Sequence, residues 1–544
     1  MKRLCSLLVG FAVLVLAAHA FADNGPVVAA PAGPVQGRES GDVRIFEGIP
    51  YAAPPVGPLR WKAPVPAPTW SNVRDATAFG PSCLQPQGGP NNIYTDPLPS
   101  ISEDCLTLNV WAAKSAAKAP VMVWIHGGAF WGGAGSQAVY DGSAFAARGI
   151  VVVTINYRLG VLGWLAHPGL SAESPDGVSG NYGLLDQIAA LRWVRQNIAA
   201  FGGDPANVTI AGQSAGGLSV LYLMASPAAR GLFAKAIAES GYMVTTPELK
   251  RRAFGLPPSE AIGEALAAKL HAPGVAELRA LDGEKLTTAA ALAGFPPFGV
   301  VDGKILPAQL VEIFDRGQQA PVPVMSGFNS GEVRSLGVLL PLAPPTPLAY
   351  EVSIRSRYKD LADAYLRLYP AADIHESMLA ATRDALYGWT AVGVAARQTA
   401  IGQPAFVYVF DHGFPSADRA GLHAFHASEI PFVFGTLGRT SRLWPKAPLT
   451  PAETSFSQAM TDYWASFIRD GRPVAAGEAD WKPYGGDGAY MAFEATPRPA
   501  TGALAEMYAL NDEVVCRRRA KGDQSWNWNV GVVSPPLPPK AGCR

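Results

Sequence analysis

Charge is scarce in this 544-residue sequence: Asp, Glu, Lys and Arg make up only 16% of it, and 44 basic side chains are offset by 44 acidic ones. A chain with no net charge has no electrostatic footprint for a phosphate backbone, so nucleic-acid binding is set aside. With 49% hydrophobic residues, the low charge also excludes a disordered chain. Beyond the N-terminal segment no uniformly apolar run reaches the ~18–20 residues that a stable membrane span needs. Internal repeats and polar linkers are lacking as well, which excludes an array of separate modules. Cysteine is rare. Cys5 lies within the N-terminal apolar run, and none of Cys83, Cys105, Cys516 and Cys543 belongs to a compact Cys/His cluster, so a metal site is the poorer reading.

The N-terminus carries an export pattern. Lys2 and Arg3 precede an apolar run from Leu4 to Ala18, and Ala20-Phe21-Ala22 has the small-x-small form of a cleavage site. Residues 1–22 therefore read as a signal peptide, and residues 23–544 as the mature chain, secreted or periplasmic. Four cysteines then remain in an oxidising compartment, an even number that implies two disulfides with three pairings open. Length alone favours two or more domains. Glycine (57) and proline (48) are spread along the chain without a short period, as in a fold with many ordered loops.

Short apolar runs at Val43–Ile49, Leu106–Trp111, Val121–Ile125, Ile150–Ile155 and Val208–Ala211 predict buried strands. Further strands are expected at Val322–Met325 and Ala405–Phe410. The apolar stripe of Leu184, Ile188, Leu191, Val194 and Ile198 predicts a helix. Others are expected directly after Ser214, within Pro258–Leu270 and Asp384–Ala400, and over Phe456–Ile468. This alternation describes a largely parallel sheet covered by helices.

Gly212-Gln213-Ser214-Ala215-Gly216 lies between an apolar strand and an apolar helix. In that setting G-x-S-x-G allows a tight turn that lifts the serine hydroxyl above the sheet and aims a helix N-terminus at it. The bare motif is weak, and its surroundings sharpen it. The run from Phe201-Gly202-Gly203-Asp204-Pro205 to Gly216 resembles the serine signature of type-B carboxylesterases, the group that includes cholinesterases. Glu103-Asp104-Cys105-Leu106-Thr107-Leu108-Asn109-Val110-Trp111 resembles the second signature of that family. His126-Gly127-Gly128-Ala129-Phe130, Asn181-Tyr182-Gly183-Leu184-Leu185-Asp186-Gln187 and His426-Ala427-Ser428-Glu429-Ile430-Pro431-Phe432 are similar too, in family order. The resemblance is nearest in character to bacterial para-nitrobenzyl-esterase-like carboxylesterases.

That resemblance implies one large folding unit, against the length-based expectation. It is an α/β-hydrolase fold: a large mixed, mostly parallel central sheet flanked by helices, with helical cap insertions. It also implies a disulfide between Cys83 and Cys105. Cys516–Cys543 follows only from parity and proximity in sequence.

A serine hydroxyl is a weak nucleophile at neutral pH and needs a positioned base. His19 leaves with the signal, His126 shapes the glycine loop, and His167, His271 and His375 lie outside any motif. His412 and His423 are closer competitors, but His426 matches the catalytic histidine of the family pattern. A carboxylate should orient the imidazole. The resemblance places it at Glu332, where Gly331 and Val333 depart from the usual Asp and Gly; Asp302 and Glu429 are the alternatives. The order Ser214, Glu332, His426 is that expected for the fold. Backbone amides of Gly128, Ala129 and Ala215 are implied as the oxyanion hole, with alanine in place of a third glycine at 129.

The expected reaction forms an acyl-enzyme on Ser214 that water then hydrolyses, with a small-molecule carboxylic ester as substrate and no cofactor. Trp131 either touches that substrate or packs its own loop. The segment between Cys83 and Cys105 has no tryptophan, unlike the choline-recognising loop of cholinesterases, which points to small or medium alkyl or aryl esters. Transfer of the acyl group to an alcohol is the rival chemistry. A non-catalytic binding protein of the same fold is the other class, which Ser214, Glu332 and His426 together argue against. Asp96, Glu103 and Asp104 are read as loop hydrogen-bonding groups in preference to a cation site.

Overall fold

The computed structural model describes residues 25–87, 92–98, 100–527 and 529–540. The expected signal peptide and Cys543, hence the Cys516–Cys543 pairing, lie outside the described residues. The main sheet has eleven strands: β1 (Arg38–Ser40), β2 (Val43–Pro50), β3 (Thr107–Ala113), β4 (Ala119–Ile125), β5 (Val151–Ile155), β6 (Gly203–Gln213), β7 (Lys235–Glu239), β8 (Val324–Asn329), β9 (Ala405–Phe410), β10 (Tyr490–Phe493) and β11 (Pro497–Ala500). Across the sheet they run β1-β2-β3-β5-β4-β6-β7-β8-β9-β10-β11. The seven strands from β5 to β10 in that order are parallel. Antiparallel pairs close the two ends.

Every residue of β5 and β7 is buried, as expected of parallel strands covered on both faces. The α/β-hydrolase fold is therefore present, with its mixed sheet, flanking helices and helical insertions. Strand β8 starts two residues later than predicted and runs to Asn329. Pro321 and Pro323 flank the predicted start, and proline has no amide to give to a ladder. The pair β10–β11 was not legible, because Pro497 and Pro499 disguise an edge strand where proline is tolerated.

The helices that matter for the site are α1 (Tyr182–Asn197), α2 (Ala215–Ala225), α3 (Trp389–Ala400), α4 (Pro451–Asp470) and α5 (Ala505–Lys521). Helix α2 is buried at all of its residues and packs on β6 and β7, so it has no polar stripe. Five π-helical residues, Asp384–Gly388, lead into α3. Further helices, including Ser259–Lys269 and Pro347–Tyr358, occupy the long connections on either side of β8. The C-terminal segment lies against the second of these: the Leu537 amide donates to the Arg357 carbonyl at 2.7 Å. Among the described residues no helix is long and apolar enough to cross a membrane.

One ionic contact joins α1 to the loop after β5. Arg158 Nε and Nη2 donate to the two oxygens of Asp186 at 2.8 and 2.7 Å, and the Arg158 amide adds a third bond. Both side chains are buried. Removing one partner of such a pair strands the other charge in a dry interior, at a cost of about 3–5 kcal/mol. Asp186→Asn is therefore expected to lower the unfolding free energy by about that amount, read as a shifted midpoint in urea denaturation. An unchanged midpoint would refute it.

Candidate active site

Strand β6 ends at Gln213 and α2 starts at Ala215, leaving Ser214 alone to reverse the chain. Its backbone sits at φ 59°, ψ −121°, a conformation that costs a non-glycine residue on the order of 1–3 kcal/mol. Two bonds hold it there: the Ser214 amide donates to the Glu239 carbonyl at 2.9 Å, and its carbonyl accepts from the Leu218 amide at 2.8 Å. The turn is closed tightly against the next strand. A Cβ at Gly216 would stand 2.0 Å from the Ile125 carbonyl oxygen, so only glycine fits. Between buried Gln213 and Ala215, Ser214 is partly open to solvent.

Glu332 begins a short 3-10 turn after β8 and is fully buried. Its Oε1 accepts from the Ser240 hydroxyl at 2.6 Å and from the Asn329 amide at 2.9 Å. Its Oε2 is hydrogen-bonded to Nδ1 of His426. The two loops concerned are stitched together by the Gly331 amide, which donates to the Ala424 carbonyl at 2.9 Å. Tyr94 clamps the histidine from outside: its hydroxyl lies 2.7 Å from Ser335 Oγ and donates to the His426 carbonyl at 2.9 Å. The other imidazole nitrogen, Nε2, accepts from the Gln213 side-chain amide at 3.2 Å. That leaves the ring proton on Nδ1, facing the carboxylate, and the lone pair of Nε2 toward the turn. Ser214 Oγ makes no hydrogen bond to His426 among the described residues; the imidazole reaches the residue beside it.

The glycine loop after β4 lies against the same turn. A Cβ at Gly127 would be 3.2 Å from Ser214 Cβ. Gly128 and Ala129 are exposed, with φ 105° and 54°, and among the described residues their amides and that of Ala215 donate to no carbonyl. Those three N–H groups are free to meet an anion. Below the loop, His126 Nδ1 donates to the Gly127 carbonyl at 2.8 Å, and its ring stacks on Tyr157 at 4.5 Å. Burial pushes the His126 imidazole down to about 4, so it serves as a neutral strut. Gln85, two residues past Cys83, grips the loop from outside. Its amide nitrogen donates to the Gly133 carbonyl and its oxygen accepts the Gly133 amide, both at 3.0 Å. Cys83 and Cys105 are joined by a disulfide, with Cα atoms 4.9 Å apart. Trp131 is half-buried, edge-on to Phe295 at 6.3 Å.

The competing groups lie elsewhere. His412 faces Glu453 at 2.8 Å, and His423 lies between Asp418 and Asp411. Asp302 caps its own loop through the amides of Lys304, Ile305 and Leu306. Glu429 accepts from Asn329 at 2.5 Å and makes no hydrogen bond to His426. Of the three loop carboxylates, Glu103 is paired with Arg60 and Asp96 accepts from Gln137. Among the described residues no group of three or more His, Cys, Asp or Glu side chains could hold a metal ion. Gln85, Gln213, Ser240 and Asn329 escaped the sequence reading. Only Gln213 and Asn329 carried a signal there, as neighbours of the two motifs.

A model of the carboxylesterase family matches residues 24–510. The chain belongs to the carboxylesterase family. It is 39% identical to a fumonisin B1 esterase of Sphingopyxis macrogoltabida over 479 residues, which cover 85% of each chain. It is 38% identical to a para-nitrobenzyl esterase of Bacillus subtilis over 468 residues, 84% of this chain and 92% of that one. Among solved structures, a PNB esterase superposes with a TM-score of 0.77 at 35% identity, covering 89% of this chain and 99% of the other. A carboxylesterase of Geobacillus stearothermophilus gives 0.76 at 33%, with the same coverage. This carboxylesterase is accordingly an enzyme that hydrolyses carboxylic esters by serine-hydrolase chemistry.

Gln85→Ala deletes both bonds to Gly133 without touching the sheet. At about 1 kcal/mol for each hydrogen bond, the looser loop is expected to lower kcat on a nitrophenyl ester by about tenfold or more, with the thermal midpoint nearly unchanged. Equal kcat in the variant would show that the loop needs no such grip.

Proposed function

We propose that Ser214 is the nucleophile of this carboxylesterase, His426 its general base and Glu332 the carboxylate that orients the base. One observation carries the reading: His426 is held by Glu332 through Nδ1 while Nε2 is turned toward the Gln213–Ser214 turn. Such a contact between base and nucleophile commonly tightens only when substrate binds.

In the first step the Ser214 oxygen attacks the ester carbonyl carbon and its proton passes to Nε2. The carbonyl oxygen becomes an oxyanion facing the amides of Gly128, Ala129 and Ala215. The tetrahedral species collapses as Nε2 returns the proton to the leaving alkoxide, releasing an alcohol and leaving Ser214 acylated. Water then attacks the acyl carbon as Nε2 again takes a proton; that proton passes to the Ser214 oxygen as its bond to the acyl carbon breaks, and the acid departs. Through both steps Glu332 balances the charge of the imidazolium. No metal and no cofactor enters this sequence.

The substrates are small or medium alkyl and aryl esters, with Trp131 and Phe295 as an aromatic wall. The para-nitrobenzyl esterase and the fumonisin B1 esterase act on very different esters by name, so the acyl and alcohol preferences belong to the loops. The Cys83–Cys105 segment has Tyr94 as its ring and no tryptophan, which favours uncharged esters over choline esters. Export, with residues 1–22 removed and 23–544 as one catalytic unit in the periplasm or outside the cell, accords with the disulfide.

A fluorophosphonate probe followed by peptide mapping is expected to label Ser214. Ser214→Ala should lose the label together with ester hydrolysis, by about 10⁴-fold or more, and Glu332→Gln should lose about 10³–10⁴-fold in kcat. Labelling that persists in Ser214→Ala rejects the assignment.

A further inference from the structure

Tyr94 stands in a turn that its neighbours build. The Asn92 side-chain oxygen accepts from the Tyr94 amide at 2.8 Å, the Asn92 amide donates to Thr95 Oγ1 at 3.1 Å, and the Thr95 amide donates back to the Asn92 carbonyl at 3.1 Å. An asparagine bonded in this way to the backbone two residues on sets the direction of the turn. The turn is tied down on either side of Tyr94. The Ser441 hydroxyl donates to the Ile93 carbonyl, and the Gln137 side-chain amide donates to Asp96 at 3.2 Å.

A phenol has one hydrogen, and a carbonyl oxygen can only accept. The Tyr94 hydrogen therefore goes to the His426 carbonyl at 2.9 Å, and the Ser335 hydroxyl donates to the phenol oxygen at 2.7 Å. Ser335 is the last residue of the 3-10 turn that begins at Glu332. One oxygen atom thus bridges the turn that carries the carboxylate and the residue that carries the imidazole. The ring adds to the hold. It stands nearly perpendicular to the imidazole at 6.4 Å and to Trp444 at 5.8 Å, and Trp444 packs in turn on Phe425 at 4.9 Å. The histidine loop needs such support, because His423 and Ala427 sit at φ 49° and 69°, in the left-handed region that side chains disfavour.

We infer that Tyr94 is a positioning residue for ester hydrolysis, its hydroxyl fixing the Glu332–His426 pair from outside both loops; the inference rests on the catalytic reading above. The phenol hydrogen is already given to the His426 carbonyl, so none is left for a substrate or an oxyanion, and the residue works through the imidazole. The Gly331 amide and the Ala424 carbonyl would still join the two loops without it, but His426 would lose the tie at its own backbone. Proton transfer at Nε2 depends on where that ring stands, and a small misplacement of a reacting group costs rate steeply. The disulfide-closed segment thereby holds both halves of the machinery: Gln85 braces the amide loop through Gly133, and Tyr94 braces the base.

The test is a double-variant cycle read as kcat and KM on a nitrophenyl ester. Tyr94→Phe keeps the ring and deletes both hydrogen bonds, so kcat is expected to fall about tenfold while KM stays nearly unchanged. In a Glu332→Gln background, where the pair is already broken, the same change is expected to cost less than about twofold. Ser335→Ala removes one of the two bonds; it is expected to cost about threefold and to add nothing on top of Tyr94→Phe. A parental kcat in Tyr94→Phe, a loss that falls on KM instead, or an equal loss in both backgrounds overturns the inference. If Tyr94→Phe does not fold, Ser335→Ala in the same two backgrounds decides it by the same criteria. Failure of the catalytic reading looks different: there Glu332→Gln itself keeps the parental kcat, and this inference falls with it. Tyr94 alone fails where Glu332→Gln loses activity and Tyr94→Phe does not.

Discussion

The bond from the Ser214 amide to the Glu239 carbonyl ties the reversing residue of β6 to the end of β7, and much of the site is arranged around it. It offsets the strain of a positive φ at a residue with a side chain, it fixes where α2 starts, and it therefore fixes where the free amides at that helix N-terminus point. The same strand end carries Glu239, whose side chain accepts from the Trp464 indole of α4, and leaves Ser240 next to Glu332. One short segment thus holds the Ser214 turn through its backbone and Glu332 through the Ser240 side chain.

Charge is rationed in this interior. The buried Glu332 carboxylate is surrounded by donors, Ser240, the Asn329 amide and His426. Where a cation is buried it is paired, as Arg158 is with Asp186. His126 shows the other solution, since burial keeps its imidazole neutral and useful as a hydrogen-bond strut. Ionic groups in a low-dielectric core must be matched or discharged, and the site uses both routes within one layer of side chains.

Several parts of the fold were legible because they depend on short-range rules. Apolar runs with the right length marked β2 to β6, and the G-x-S-x-G turn marked the end of β6, since close backbone approach at Gly216 admits no other residue. The β10–β11 pair and the late start of β8 were not, because proline acts by its place in the sheet and not by its place in the chain. Gln85 gave no signal: a glutamine in a proline-rich loop resembles any surface glutamine until the loop folds over Gly133.

By itself the sequence determined the family, through the resemblance of its motifs, and the alternation of strands and helices, through periodicity and local turn geometry. Only the tertiary structure showed what faces each of three loop histidines that lie within fifteen residues of one another: His412 meets Glu453, His423 lies between Asp418 and Asp411, and His426 meets the buried Glu332. It alone decided that Gln213 shares the imidazole and that Gln85 braces the glycine loop. Each of these requires groups separated by tens to hundreds of residues to converge, and that convergence is set by loop paths and packing, which no local pattern encodes.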